Sequence, residues 1–300
     1  MDIRSVIINT YRRDLPQARV CVASIRHWYP DIPIRLIKDM GAGDFDTAPL
    51  EELFGVGVLD TGRRSFGWGF GKLEPVFGEG GAAFLFMDAD TVMTGPVLDR
   101  LASIEADFIV DEEVQPKEKL TSLYYDTERI AEVDAGFTYP GYSFNTGQWA
   151  ATPGLIKRSD FDALVDWKGG PSLRHPHIFK QADQGVFNYV LQKKEAEGAV
   201  RVVRTPLMIW PSNGAADHVD LQAIRQRRPT EDRIVHWAGM GRIPADQMPR
   251  KDIIAYFRGE YYRRAGIGRR LVDLVSVTAD HFGELLTRVS RRLSRMLPSG

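Results

Sequence analysis

Residues 82–87, Ala-Ala-Phe-Leu-Phe-Met, run without a polar break, follow Gly80-Gly81 and end on Asp88-Ala89-Asp90. An uninterrupted apolar run of this length fits a strand buried on both faces, which requires layers packed on either side of a largely parallel sheet. The two carboxylates then fall at the carboxyl end of that strand, where open α/β sheets bind ligands. Alternation puts the Asp88 and Asp90 side chains on the same side of the extended chain, so one hard divalent cation can be reached by both. A strand that stops at an Asp-rich turn is the plainer alternative.

The flanking sequence supports the same architecture. Ile3 to Asn9 reads as a strand, Leu15–Trp28 as a helix and Ile34–Lys38 as a second strand, an order that implies parallel pairing through a right-handed crossover. Within that helix Cys21, Ile25 and Trp28 recur at i, i+4 and i+7, which puts the single cysteine in the core and excludes an internal disulfide. Lys72-Leu73-Glu74-Pro75 is expected on a short helix, and helix-like sequence fills about 97–105 and 115–133. Tyr142–Thr152 reads as strand or loop, and 181–196 as a helix opening on Asp183-Gln184. Two β-rich pieces follow, Val200–Ile209 and Arg233–Trp237. No linker composition precedes residue 245, so 1–245 is expected to form one domain and 246–300 a basic helical extension.

At 300 residues and 43% hydrophobic content the chain can build a sizeable core, and nothing suggests disorder or a repeat array. The start, Met1-Asp2-Ile3-Arg4, lacks the apolar stretch of a signal peptide, no run reaches membrane-spanning length, and none of the four Asn residues opens a glycosylation sequon. A cytoplasmic, reducing location is expected. The net charge of −1 is unevenly spread: nine Arg against four acids from Arg258 to Gly300 give +5, leaving 1–257 at −6. An acidic body argues against nucleic acid as a partner and marks the basic tail as a separate device.

Three further segments carry polar residues in apolar surroundings. In Phe144-Asn145-Thr146-Gly147 an amide can hydrogen-bond a sugar hydroxyl while glycine lets a ligand approach the backbone; an ordinary Asn-Gly turn is the alternative. Asp183-Gln184-Gly185-Val186-Phe187-Asn188 sets an acid and an amide at a helix start, where such side chains also serve as caps. His236-Trp237-Ala238-Gly239 follows Ile234-Val235 and places an imidazole at a strand end, where it is either a ligand or a packed residue.

In this order the four segments resemble the retaining glycosyltransferases of the glycogenin and lipooligosaccharide galactosyltransferase type, glycosyltransferase family 8. That family has a strand ending in Asp-x-Asp, then Phe-Asn-Ser/Thr-Gly, then Asp-Gln with a following Asn, then His-x-x-Gly-x-x-Lys-Pro. The resemblance runs from Ile3 to about Pro244 and implies the GT-A fold, a Rossmann-like nucleotide-diphospho-sugar transferase architecture, here with a C-terminal amphipathic helical extension. It implies that Asp88, Asp90 and His236 hold Mn²⁺ or another divalent cation, that Asn145 and Asp183 touch donor or acceptor sugar, and that Gln184 lies beside the anomeric carbon. Thr10, Tyr11, Lys72, Ala89, Gly239 and Arg242 would join Asp88 and Asp90 around the nucleotide sugar. Two carboxylates and one imidazole suit Mn²⁺ better than Mg²⁺. The chain departs from the pattern at Arg242-Ile243, where the family has Lys-Pro; the cation persists, in a form able to grip a diphosphate bidentately.

The implied activity is transfer of a hexose from a nucleotide-diphosphate sugar, UDP-linked, to a glycan or lipid-linked acceptor in bacterial surface polysaccharide or lipopolysaccharide synthesis. Retention through a same-face path is the simpler route, because Gln184 is a poor covalent nucleophile. Two alternatives stand beside it. Asp88-Ala89-Asp90-Thr91-Val92 also fits the signature of haloacid-dehalogenase-like phosphatases, with Asp88 as nucleophile, and a relative that binds nucleotide sugars or glycans without turnover is the other.

In the tail, Ile267, Leu271, Leu274, Phe282, Leu285, Val289, Leu293 and Met296 keep a helical stripe in which Thr278 fills one position. Arg269, Arg270, Arg288, Arg291, Arg292 and Arg295 flank it, while Asp273, Asp280, Gly283 and Glu284 interrupt it. Such a helix can lie on the cytoplasmic face of an anionic inner membrane, making the protein peripheral there, or can pack on the body or on a second subunit of a homodimer.

Overall fold

The computed structural model describes residues 1–273 apart from Trp68, Val114, Pro229, Thr230, Arg242, Ile267 and Val272. Its strands are β1 (Ile3–Tyr11), β2 (Ile34–Asp39), β3 (Val56–Val58), β4 (Ala83–Asp88), β5 (Thr91–Met93), β6 (Phe108–Asp111), β7 (Gln148–Ala151), β8 (Val165–Asp166), β9 (Ser172–Leu173), β10 (Val202–Thr205), β11 (Met208–Ile209) and β12 (Ile234–His236). The main sheet has the order β10-β6-β7-β4-β1-β2-β3. Parallel pairing joins β4, β1, β2 and β3, as the strand–helix–strand reading requires. β7 runs antiparallel to both β4 and β6 and so sits inside the sheet against its general direction. β11, β12 and β5 form a second, small sheet.

Side chains of β4 alternate between two cores, which is why its sequence is apolar throughout. Leu85 and Met87 face one layer with Val6 and Ile8 of β1 and with Cys21 and Ile25 of helix α1 (Leu15–Trp28). Phe84 and Phe86 face the other, where Trp149 stacks on Phe86 at 5.1 Å between ring centroids and 14° between planes. Phe187 and Val190, from a long helix that covers that face, close this second core. Burial of each such ring is worth about 2–3 kcal/mol, so the positions of both helices follow from the two apolar faces of the sheet.

The remaining helices are α2 (Ala48–Phe54), α3 (Val97–Ala102), α4 (Lys117–Leu123), α5 (Asp183–Ala196), the long helix just mentioned, and α6 (Leu221–Arg225); Lys72 lies on a 3₁₀ segment, Phe70–Phe77. Residues 251–266 are also helical. Beyond the boundary expected at 245, Met248, Ile253, Ile254, Phe257 and Tyr261 nevertheless lie in the first core, and Tyr261 stacks on Phe54 at 5.2 Å. Asp273 accepts an ion pair from Arg19 of α1 at 2.9 Å with both side chains buried. The stripe expected from Leu274 to Met296 lies outside the described residues.

Candidate active site

The strand stops at Asp88, and Ala89-Asp90 form a turn into β5 rather than an extension of β4. The expectation that alternation aligns the two carboxylates is therefore replaced by a turn, closed by the Thr91 hydroxyl donating to Asp88 O at 2.6 Å. Both acids still converge, because β12 pairs antiparallel with β5 and puts His236 opposite Thr91. Trp237 N–H donates to Asp90 O at 3.0 Å and locks that register. His236 Nε2 lies 3.2 Å from Asp90 Oδ1 and 3.8 Å from Asp88 Oδ2.

Gly147 decides whether the imidazole fits. Its carbonyl accepts from Asp88 N–H at 2.7 Å, and a Cβ on it would stand 2.1 Å from His236 Cε1 and 2.7 Å from Nδ1. The glycine expected to admit a ligand thus admits a protein side chain. Asn145 likewise behaves as a turn residue, its Oδ1 accepting Gly147 N–H at 2.8 Å, while the residue stays nearly buried at the site.

Lys72 bridges the cluster to α5. Its ammonium donates to Asp88 Oδ2 at 2.8 Å and lies 3.8 Å from Asp183 Oδ2, which also accepts the Thr146 hydroxyl at 2.6 Å. Burial works against the Lys72 charge, but Asp183 and Asp88 outweigh it and raise the pKa. Burial pushes Asp183 up to about 6 against the opposing pull of Lys72 and Thr146. Burial also opposes charging His236 and Asp90, yet each stabilises the other, raising the imidazole and lowering the carboxyl. Asp14, just after β1, is pushed up to about 7 by burial and by Asp90 and Asp88.

Asp183 and Gln184 begin α5 on a strained entry. Gln181 and Ala182 hold φ of 50° and 48°, conformations that cost non-glycine residues about 1–3 kcal/mol and gather at functional sites. The helix has no side-chain cap, so Asp183 serves the cluster instead. Gln184 Nε2 donates to Leu123 O at 3.1 Å at the end of α4. Asn188 staples α5 to the 144–147 segment, with Oδ1 accepting Phe144 N–H and Nδ2 donating to Phe144 O, each at 2.9 Å.

The other expected residues are less directly engaged. Thr10 is fully buried, its hydroxyl 3.4 Å from Tyr11 O, and Ala89 is buried too. Tyr11 is raised by burial and by its bond to Asp14. Gly239 is left-handed with open space around it, and Arg242 lies outside the described residues. Two neighbours carried no signal in the sequence, Asp14 and Trp210, whose ring lies 6.1 Å from that of His236 with planes 11° apart; Thr146 belonged to the 144–147 segment but had no role of its own there.

The donor set fits a divalent cation. Asp88, Asp90 and His236 offer two anionic oxygens and an imidazole nitrogen within 4.8 Å of one another, and this is the arrangement a borderline metal prefers. His236 Nδ1 is buried and finds no partner among the described residues.

No protein-family model matches the chain, and no curated protein sequence matches it. Solved structures do resemble it. The apo WbbM bifunctional glycosyltransferase matches over 88% of this chain at 13% identity with a TM-score of 0.56; the chain spans about half of it, 52%. An active-site mutant of LgtC matches over 87% of this chain and 100% of its own at 12% identity and 0.50. The galactosyltransferase LgtC with donor and acceptor sugar analogues covers 87% and 100% at 14% identity and 0.49. The first two likenesses establish the fold: this chain has the GT-A glycosyltransferase architecture. The phosphatase alternative finds no support among these structures.

Proposed function

We propose that the chain is a metal-dependent glycosyltransferase that moves a hexose from a UDP-sugar to a glycan or lipid-linked acceptor with retention, in bacterial surface polysaccharide or lipopolysaccharide synthesis. The observation that carries this reading is the convergence of Asp88, Asp90 and His236 at a strand end of a GT-A fold, with Lys72 and Asp183 in contact with the same cluster. WbbM and LgtC, which are similar in fold, are glycosyltransferases, and LgtC has been solved with donor and acceptor sugar analogues.

Asp88, Asp90 and His236 would hold Mn²⁺ or another divalent ion, which when bound neutralises charge on a departing nucleoside diphosphate. Lys72 adds a fixed ammonium at the same place, kept charged by Asp88 and Asp183. Asp183, already bonded to Thr146, is placed to accept a sugar hydroxyl and so orient the hexose. Gln184 is held by Leu123 O, so it serves to position and not to attack. The acceptor hydroxyl then attacks on the face the leaving group departs from, and the departing phosphate can take its proton. The cytoplasmic membrane-face location and homodimer remain part of this proposal; no described helix is long and apolar enough to cross a membrane.

The test is a thermal-shift screen of UDP-, GDP- and dTDP-sugars with Mn²⁺, followed by NMR of the new glycosidic bond. A UDP-sugar that alone raises the melting temperature and yields an α linkage supports the proposal. A β linkage made from an α-linked donor contradicts retention, and no stabilisation by any nucleotide sugar contradicts the activity.

A further inference from the structure

Trp210 is 37% exposed although two groups, His236 and Glu113, hold it in place. One face of its ring lies along His236, 6.1 Å between centroids and 11° between planes. Its Nε1–H donates to Glu113 Oε1 at 3.3 Å, and the other Glu113 oxygen accepts the Tyr124 hydroxyl at 2.6 Å and Gln115 Nε2 at 3.1 Å. Tyr124 itself is buried. The indole is therefore fixed at an edge and on one face while part of it stays in water. A ring this constrained gains little by exposure, and rigid aromatic surface with a satisfied N–H is the form that binding platforms take.

Its location says what it would bind. It joins the cluster through His236, whereas Lys72 and Asp183, proposed to serve the donor, join it through Asp88. It also shares a mounting with Gln184. Tyr124 fixes Glu113, and the adjacent Leu123 carbonyl holds Gln184 Nε2. The flat C–H face of a pyranose matches an indole face, while its rim hydroxyls need polar neighbours, which Glu113 and Gln115 supply. We infer that Trp210 is the platform on which the acceptor's sugar ring stacks, with Glu113 as its positioning residue, so that this pair sets acceptor specificity. The inference rests on the glycosyltransferase reading.

Saturation-transfer NMR with methyl pyranosides of galactose, glucose and mannose, in the presence of Mg²⁺ and UDP, GDP or dTDP, tests it on the full chain. The wild type should transfer saturation to the ring C–H face of at least one pyranoside. Trp210→Ala should weaken that glycoside by about tenfold or more, the scale of losing one stacked ring, and Trp210→Phe should restore much of it. Glu113→Ala should raise the acceptor KM with a smaller change in kcat, which general loosening of the fold would not do. Nucleotide binding by each variant serves as the folding control. Equal pyranoside binding by wild type and Trp210→Ala, or no pyranoside contact in a wild type that binds nucleotide, overturns this inference alone. A wild type that binds none of the three nucleotides overturns the glycosyltransferase reading and this inference with it.

Discussion

Replacing Gly147 by Ala adds one methyl group at the position where the structure leaves least room for it. The new carbon would lie 2.1 Å from His236 Cε1, 2.7 Å from Nδ1 and 2.8 Å from Asn145 Oδ1. Ordinary carbon contacts begin near 3.5 Å, so the imidazole must retreat by roughly 1.5 Å. His236 is 2% exposed, is tied into β12 and has Trp210 along its ring, so the movement is resisted. Overpacking of this kind costs about 1–3 kcal/mol. Metal–ligand distances tolerate only about 0.2 Å, so Mn²⁺ affinity should fall by at least the roughly 10- to 100-fold seen when a ligand loses its support. Isothermal titration of Mn²⁺ and urea unfolding measure the two effects. In a His236→Ala background the same glycine substitution should be far less destabilising, because the clashing ring is gone. Unchanged Mn²⁺ affinity and stability in Gly147→Ala would refute the packing argument.

Two further substitutions probe the frame around the site. Asp111 is buried, and burial pushes its carboxyl up to about 6 despite amide donors from Leu207 and Met208. The folded state therefore binds more protons than the unfolded one between about pH 4 and 6, and stability falls as pH rises through that window, by at most about 3 kcal/mol. Asp111→Asn keeps an acceptor for both amides, so it should lose that part of the pH dependence and gain stability at pH 7; unfolding curves that shift in parallel with pH for both proteins would contradict this. Asp273→Ala leaves Arg19 buried without its 2.9 Å partner and should destabilise the fold by about 3–5 kcal/mol, read by urea denaturation. A loss below about 0.5 kcal/mol would mean that the helix after residue 250 is not part of the cooperative unit.

The elements with strong local periodicity were legible from the amino acids. Leu15–Trp28 forms as read, and the apolar run into Asp88 is a strand covered on both faces. β7 was harder, since Gln148, Trp149, Ala150 and Ala151 are all buried and show no alternation to reveal a strand inserted antiparallel. Asp88 and Asp90 stood out because they end an apolar run, and His236 joined them as a candidate ligand only through the family resemblance; the turn at Ala89 that aims Asp90 depends on the Thr91 hydroxyl and on pairing with β12. Gly147 was noticed for the wrong neighbour, since only the folded chain brings His236 across 89 positions of sequence to fill its space. Asp14 and Trp210 carry no local signal at all: each matters through groups distant in sequence, Asp14 through Asp88 and Asp90, Trp210 through His236 and Glu113.

The central claim is that Asp88, Asp90 and His236 act as one metal site that the transferase reaction requires. Electron paramagnetic resonance of Mn²⁺ titrated into the protein with UDP measures this directly. One bound ion per chain is expected in the wild type, and loss of that ion and of nucleotide-induced stabilisation in Asp90→Ala and His236→Ala, with circular dichroism unchanged. Unaltered Mn²⁺ binding in Asp90→Ala, or full transfer from a nucleotide sugar in the presence of chelator, would contradict it.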